Sequence, residues 1–215
     1  MSDVIVVDYG IGNVFSVCNA LKRIGATPVL TRDPSAIRAA DRVILPGVGA
    51  FSRAMENLRS LGLDAEIAAY VATGRPFLGV CIGMQVLMDG STEFGDHTGL
   101  GLIPGKVEKI PATTSQGTTL RVPHISWSAV SSDAPLDTGS WQEAAFANAA
   151  HYYFVHSFMA RPADSAHLLA SAHYGGHQIT AAVRRDNVTG VQFHPERSGP
   201  AGLQLLKYFV ESDVS

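Results

Sequence analysis

Apolar residues arrive along this 215-residue chain in two textures, and the change between them falls near residue 100. In the first texture, short continuous apolar runs alternate with runs spaced by three and four. "VIVVD" (4–8) is a β-branched run of the kind that suits a strand buried on both faces of a parallel sheet. Val14, Val17, Cys18, Leu21 and Ile24 then fall on one helical face, and Gly25 is placed to stop that helix. A second strand is expected at 27–30, followed by a short helix over 33–41 capped by Asp33 with Pro34 at its first position. "RVILPGVGAF" (42–51) reads as a third buried strand running into a glycine-rich turn. Helical spacing follows through Met55, Leu58 and Leu61 and again over 63–71, and a fourth strand at 76–80 leads into a helix over 82–88. Such alternation predicts an α/β fold: a doubly wound, mostly parallel sheet with helices on both faces.

In the second texture, "VEKIP", "LRVPHISW", "HYYFVHSF", "HLLASAHY", "HQITAAVRR" and "VTGVQFHPE" are short strand-like runs punctuated by Gly, Pro, Asp and Ser. They read as an antiparallel extension of the same sheet, closed by an amphipathic helix over 201–212, so that residues 1–215 form one domain. With 46% hydrophobic and 16% charged residues, the chain can build a sizeable core. A net charge of −3 with no Lys/Arg run argues against nucleic acid as a partner, because phosphate contacts need clustered cations. Two cysteines make no disulfide framework, "MSDVIVVDYG" has no basic leader region, and no apolar run approaches the roughly 20 residues of a membrane span. A cytoplasmic protein is expected.

One of those two cysteines is unusually placed. Cys81 lies in "PFLGVCIG", between Gly79 and Gly83 and directly after a strand-like run. A lone buried Cys is ordinarily core filling, and Cys18, on the apolar face of a helix without flanking glycines, fits that plain reading. Cys81 instead sits at a strand-to-helix turn of the Gly-x-Ser-x-Gly type, at the carboxyl end of a strand where doubly wound sheets bind ligands. A thiol nucleophile needs a base and a group to orient it. Of eight His, one is followed two residues later by a carboxylate in an ordered setting: His194 and Glu196 in "GVQFHPERSG". The same pair could be half of a metal site or a surface turn, but no CxxC or second acidic cluster completes a metal site. His124 and His156, inside apolar runs, read as satisfied structural histidines.

Taken together, "PGVGAF", the Gly-x-Cys-x-Gly-x-Gln elbow and the His-Pro-Glu segment resemble the class I (triad) glutamine amidotransferases. "VDYGIGNVFSVCNAL", "GLGLIPGKV" and "YYFVHSF" narrow the likeness to the glutaminase subunits of imidazole glycerol phosphate synthase, from about residue 4 to 210. The resemblance implies a flavodoxin-like fold and hydrolysis of L-glutamine by nucleophile Cys81, base His194 and orienting Glu196. It implies an oxyanion hole from the backbone of Ile82 and of Gly47, Val48 and Gly49. Because regulation has to act somewhere and that glycine-rich turn is flexible, Val48 is expected to reorient before the hole is complete. Gln85, Glu93 and the segment His156, Ser157, Phe158 match positions that contact substrate glutamine. Each of these has a plainer reading as an ordinary helix, loop or strand residue. No metal or organic cofactor is implied.

The likeness further implies a heterodimer with a (β/α)₈-barrel cyclase subunit, docked through Asn13, Ser126, Trp127 and Arg197, although Trp127 could equally be core. The chain departs from the usual pattern there. Ser126 and Ser128 in "PHISWSAV" stand where Gly and Asn are usual, and Arg197 where Lys is usual. Two alternatives therefore stay open: a paralogous glutaminase serving a cyclase-like partner in surface-sugar amidination, and a catalytically silent binding subunit.

Overall fold

A computed structural model describes residues 3–132, 140–146 and 148–212. Its first half alternates as the apolar runs require: β1 (Asp3–Val7), α1 (Val14–Arg23), β2 (Thr27–Thr31), α2 (Pro34–Ala39), β3 (Arg42–Leu45), α3 (Phe51–Ser60), α4 (Leu63–Val71) and β4 (Phe77–Val80). Asp33 caps α2, its side chain accepting from the Ser35 N–H at 2.9 Å. Val4, Val6, Val43, Ile44, Leu45, Phe77 and Leu78 are wholly buried, as expected of strands covered on both faces.

After β4 come the single turn α5 (Ile82–Gln85) and three short strands, β5 (Gly90–Ser91), β6 (His97–Thr98) and β7 (Gly105–Lys109). Then follow β8 (His124–Ser132), α6 (Trp141–Phe146), β9 (Ala150–His156), β10 (Phe158–Pro162), β11 (Leu168–Tyr174), β12 (His177–Arg185), β13 (Val188–Val191) and α7 (Gly199–Glu211). Nine strands form one sheet in the order β2-β1-β3-β4-β13-β12-β11-β8-β9. Pairing is parallel from β2 to β13 and antiparallel from β13 onward, as the two sequence textures predict.

Two features differ from the sequence reading. The helix expected over 82–88 ends after one turn, because the carbonyls that would extend it are taken by another segment. Val86, Leu87, Met88 and Asp89 accept from the N–H groups of Leu100, Leu102, Gly101 and Gly99 at 2.8–3.1 Å. The second is a separate four-stranded sheet, β10-β7-β5-β6. The chain leaves the large sheet at His156 and enters the small one at Phe158, so Ser157 forms the corner between them.

The strand order reverses between β1 and β3, which leaves a crevice at their carboxyl ends. The loops after β1 and β3 meet there: a Cβ on Gly12 would lie 3.5 Å from Gly47 Cα. The loop after β4 enters the same crevice through Gly79 and Gly83. A Cβ on Gly83 would strike the Leu45 carbonyl of β3, and one on Gly79 would strike the Gly83 carbonyl. Gly83→Ala must therefore push α5 off the sheet. We expect it to lower the unfolding free energy by about 1–3 kcal/mol, the usual cost of overpacking, measured by urea denaturation. An unchanged midpoint would show that the elbow has room to spare.

Candidate active site

Cys81 occupies the sharpest point of the chain, with φ +56° and ψ −109°. That is left-handed backbone, costly for a residue with a Cβ, and it is held from both sides. The Cys81 N–H donates to the Val191 carbonyl at 2.8 Å, and its carbonyl accepts from Met84 and Gln85. Parallel register pairs Val80 with Val191, so the residue after β4 and those after β13 emerge side by side. This register brings His194 to Cys81.

His194 is 4% exposed and the Glu196 side chain 1%. The His194 Nδ1–H donates to Glu196 Oε1 at 2.9 Å, and its backbone N–H donates to the Tyr153 carbonyl at 2.9 Å. Burial lowers the pKa of the imidazole, but the Cys81 thiol and the Glu196 carboxylate outweigh it and hold His194 up at about 10. The second ring nitrogen, Nε2, completes no hydrogen bond with a described residue, nor does Glu196 Oε2. Catalytic contacts of this kind are often loose before substrate arrives.

The pair opens onto a cavity of about 320 Å³ lined by Val48, Gly49, Cys81, Ile82, Gln85, Glu93, Pro123, Val155, His156, Ser157, Phe158 and His194. All of these but Pro123 and Val155 are singled out from the sequence, and residues far apart in the chain thus line one cavity. A larger cavity of about 450 Å³ lies at the amino-terminal ends of β4 and β13, but its lining contains neither Cys nor His.

Local hydrogen bonding refines the expected roles. The Ile82 N–H, expected to hold an oxyanion, donates instead to the Gly47 carbonyl at a long 3.4 Å. Glu93 is 8% exposed, and its Oε2 accepts from the Phe51 N–H at the start of α3 at 2.6 Å. Gln85 is 2% exposed and spends both amide hydrogens internally, donating to the Phe158 carbonyl at 3.0 Å and to Gln192 Oε1 at 2.9 Å. Only its Oε1 remains to face the cavity.

The positions expected at a partner interface lie on the surface beside this site. Trp127 is 53% exposed, so it is not core. It packs edge-on against Tyr153, and the Arg197 guanidinium lies 4.7 Å over the same ring. Asn13 is half-buried just before α1, which packs against the Pro195–Arg197 turn. Ser126 is half-buried because its hydroxyl turns inward to His124.

Three polar residues at the site carry no functional role in the sequence reading, which takes His124 as a satisfied structural histidine and passes over Gln192 and Tyr9. Gln192, fully buried, reaches Cys81. His124, also fully buried, bonds His156. The Tyr9 hydroxyl is buried without a described partner and abuts Gly47. Tyr9 follows β1 and Gln192 follows β13, and position at the carboxyl end of a parallel strand was the signal available for both. Among the described residues no cluster of His, Cys, Asp and Glu could hold a metal ion, and no helix is long and apolar enough to cross a membrane.

Left-handed backbone at Cys81, the buried His194–Glu196 pair beside it and the doubly wound sheet are the arrangement that the sequence leads us to expect of a triad amidotransferase. The family model "Glutamine amidotransferase class-I" matches residues 5–212, and the chain belongs to that family. It is 41% identical over 214 residues to imidazole glycerol phosphate synthase subunit HisH 1 of Legionella pneumophila (strain Lens), covering 98% of this chain and 100% of the relative. It is 43% identical over 210 residues to the HisH subunit of Herpetosiphon aurantiacus, covering 98% and 94%. Among solved structures, the fold matches a glutamine amidotransferase with TM-score 0.72 at 21% identity, covering 96% of this chain and 97% of that one. It also matches PurLQS from Thermotoga maritima with TM-score 0.73 at 19% identity, covering 97% and 98%.

The buried histidines set a pH dependence. Burial pushes His124 down to about 4 and His156 down to about 3, so both are neutral when folded. Their unfolded value is 6.5, so the unfolded chain takes up protons first, and stability falls as pH drops from 6.5 toward 4. His194 acts oppositely, contributing below 6.5 and losing that contribution as pH rises through about 10. Urea midpoints measured from pH 7 to 5 should fall in the wild type and fall less steeply in His124→Asn. Equal slopes would mean that His124 is not the residue being protonated.

Proposed function

We propose that this chain is the glutaminase subunit of an imidazole glycerol phosphate synthase. It hydrolyses L-glutamine and delivers the ammonia to a (β/α)₈-barrel cyclase subunit in histidine biosynthesis. The observation that carries this reading is Cys81 at its left-handed elbow beside the buried His194–Glu196 pair, in a chain matching HisH subunits along nearly its whole length.

In this reading the Cys81 Sγ attacks the side-chain carbonyl carbon of glutamine. His194 holds the thiol proton and gives it to the departing nitrogen, so ammonia leaves and a glutamyl thioester remains. His194 then takes a proton from water, whose oxygen attacks the thioester and releases glutamate and the thiol. Glu196 keeps the neutral imidazole in the tautomer with its free nitrogen toward sulfur and stabilises the imidazolium that forms within each of the two steps. Glu93, Gln85 and the 156–158 corner contact the ends of the bound glutamine that do not react.

The oxyanion needs donors, and here the resting geometry opposes catalysis. The Gly47–Val48 peptide presents its C=O to the Ile82 N–H. Rotating that single peptide would withdraw the carbonyl, free Ile82 and aim the Val48 N–H at the same place. One such donor is worth about 10²–10³ in kcat. Val48 is 38% exposed and a Cβ on Gly49 would meet nothing within 4 Å, so the turn has room to rotate.

Glutamate release by the chain alone should therefore be slow. It should rise by about two orders of magnitude with the histidine-pathway cyclase and its nucleotide substrate, and vanish in Cys81→Ala. Activity untouched by that cyclase would leave the triad standing and remove the partner from this reading. Trp127→Ala should weaken binding of the cyclase by about 2 kcal/mol or more, as expected for an aromatic at the centre of an interface. Isothermal titration would read this directly, and an unchanged affinity would place the interface elsewhere.

A further inference from the structure

A single buried chain of hydrogen bonds joins the exposed strand β8 to the sulfur of Cys81, and its polarity can be assigned bond by bond. The Phe158 carbonyl can only accept. It receives His156 Nδ1–H at 2.8 Å and Gln85 Nε2–H at 3.0 Å. This orients the Gln85 amide with its nitrogen inward, and the second N–H is donated to Gln192 Oε1 at 2.9 Å. With Oε1 so engaged, Gln192 must turn its Nε2 the other way, where it lies 3.8 Å from Cys81 Sγ, within reach of a sulfur acceptor.

On the far side, His156 has given away its Nδ1–H and is neutral, so its Nε2 accepts. His124 therefore carries its proton on Nδ1 and donates to His156 at 3.0 Å. The one lone pair of His124 Nε2 then accepts from a hydroxyl of the Ser126–Ser128 pair, whose oxygens lie 2.8 and 3.0 Å from it and 2.9 Å from each other.

We propose that Gln192 is a further catalytic residue. Its Nε2–H solvates the Cys81 sulfur whenever that sulfur carries negative charge, first as attacking thiolate and again as the group expelled when water collapses the thioester. Gln85 is the positioning residue that aims it. Three observations support a role beyond packing. Gln192 is wholly buried, it is not part of the cavity lining, and its amide orientation is forced by Gln85 rather than chosen by the sulfur. A donor fixed in advance and aimed at a developing charge needs no reorganisation when the charge appears. In the neutral thioester the same contact is weak, so the interaction favours the charged states selectively.

The inference rests on Cys81 being the nucleophile, and the test separates the two. Alkylation of Cys81 by iodoacetamide at neutral pH is followed by peptide mapping, which distinguishes it from Cys18. Kinetics of glutamate release are measured with saturating cyclase, and folding is checked by melting temperature. Gln192→Met removes the donor at similar length. Gln192→Glu keeps an acceptor for Gln85 and turns an oxygen toward sulfur.

Loss of one hydrogen bond to a charged group should slow alkylation and kcat about tenfold in Gln192→Met, with more loss in Gln192→Glu and KM for glutamine unchanged in both. Gln85→Leu should slow alkylation alone but add nothing in a Gln192→Met background, a non-additivity that a packing role would not produce. A folded Gln192→Met or Gln192→Glu that alkylates and turns over like the wild type overturns the proposal. So does a rise in KM with kcat unchanged. If Cys81→Ala still releases glutamate, the nucleophile itself is wrong, and Gln192 falls with it.

Discussion

The passage of Gly83 beneath the Leu45 carbonyl is the constraint on which the rest of this molecule depends. With no side chain at 83 or 79, the segment leaving β4 turns back hard against β3, and Cys81 is forced into left-handed backbone. A non-glycine residue there costs on the order of 1–3 kcal/mol. The sheet absorbs this cost, because the Cys81 N–H stays bonded to Val191 and its carbonyl to the α5 turn. The same parallel pairing of β4 with β13 fixes where the residues after Val191 emerge. Gln192 and His194 consequently reach the sulfur without any loop having to bring them there. The placing of Cys81, His194 and Gln192 together follows from one register.

Three buried histidines within this site then diverge in charge, and their partners decide the outcome. His194 has a carboxylate on one side and a thiol on the other, and these raise it against the pull of burial. His156 and His124 have a carbonyl, each other and two hydroxyls, none of which compensates a buried cation, so burial prevails and both stay neutral. Phe154 and Tyr174 stack on the faces of the His124 ring, with centroids 5.0 and 4.2 Å away, and its two nitrogens face His156 and the Ser126 and Ser128 hydroxyls rather than a charged partner. Neutrality gives His124 and His156 one donor and one acceptor apiece, and that is why the chain of bonds through them has a direction.

Much of this was legible in the residues. Continuous β-branched runs announced the parallel strands, Asp33–Pro34 announced a helix start, and the glycines around Cys81 announced the elbow. The misses have physical causes. A two-residue strand such as Gly90–Ser91 has no periodicity to read, so the small sheet was invisible. The apolar spacing of 82–88 was genuinely helical, and the helix stops only because Gly99–Leu102, distant in sequence, competes for its carbonyls. Gln192 and His124 owe their significance to partners some 30 to 110 residues away, which no local pattern encodes. Trp127 was undecided between core and surface because β8 alternates, and alternation alone does not say which face is covered.

The exposed face and the backbone of His194 are joined through Tyr153. β9 is the edge strand of the large sheet, and its Tyr153 carbonyl accepts the His194 N–H, while its own N–H donates to Ser198 Oγ at 3.0 Å. Ser198 is buried and donates in turn to the His194 carbonyl at 2.6 Å. The Tyr153 ring, on the other hand, projects into the cluster formed by Trp127 and Arg197. One residue therefore fixes the backbone of the base with its main chain and meets the surface with its side chain. An edge strand lacks a neighbour to hold it on one side, so it is the strand a docking surface can most easily shift. Trp127 and Arg197 are thus linked to His194 through Tyr153, and Ser126 is linked to Cys81 through His124, His156, Gln85 and Gln192. One route ends at His194 and the other at Cys81, and both begin on the β8–β9 face.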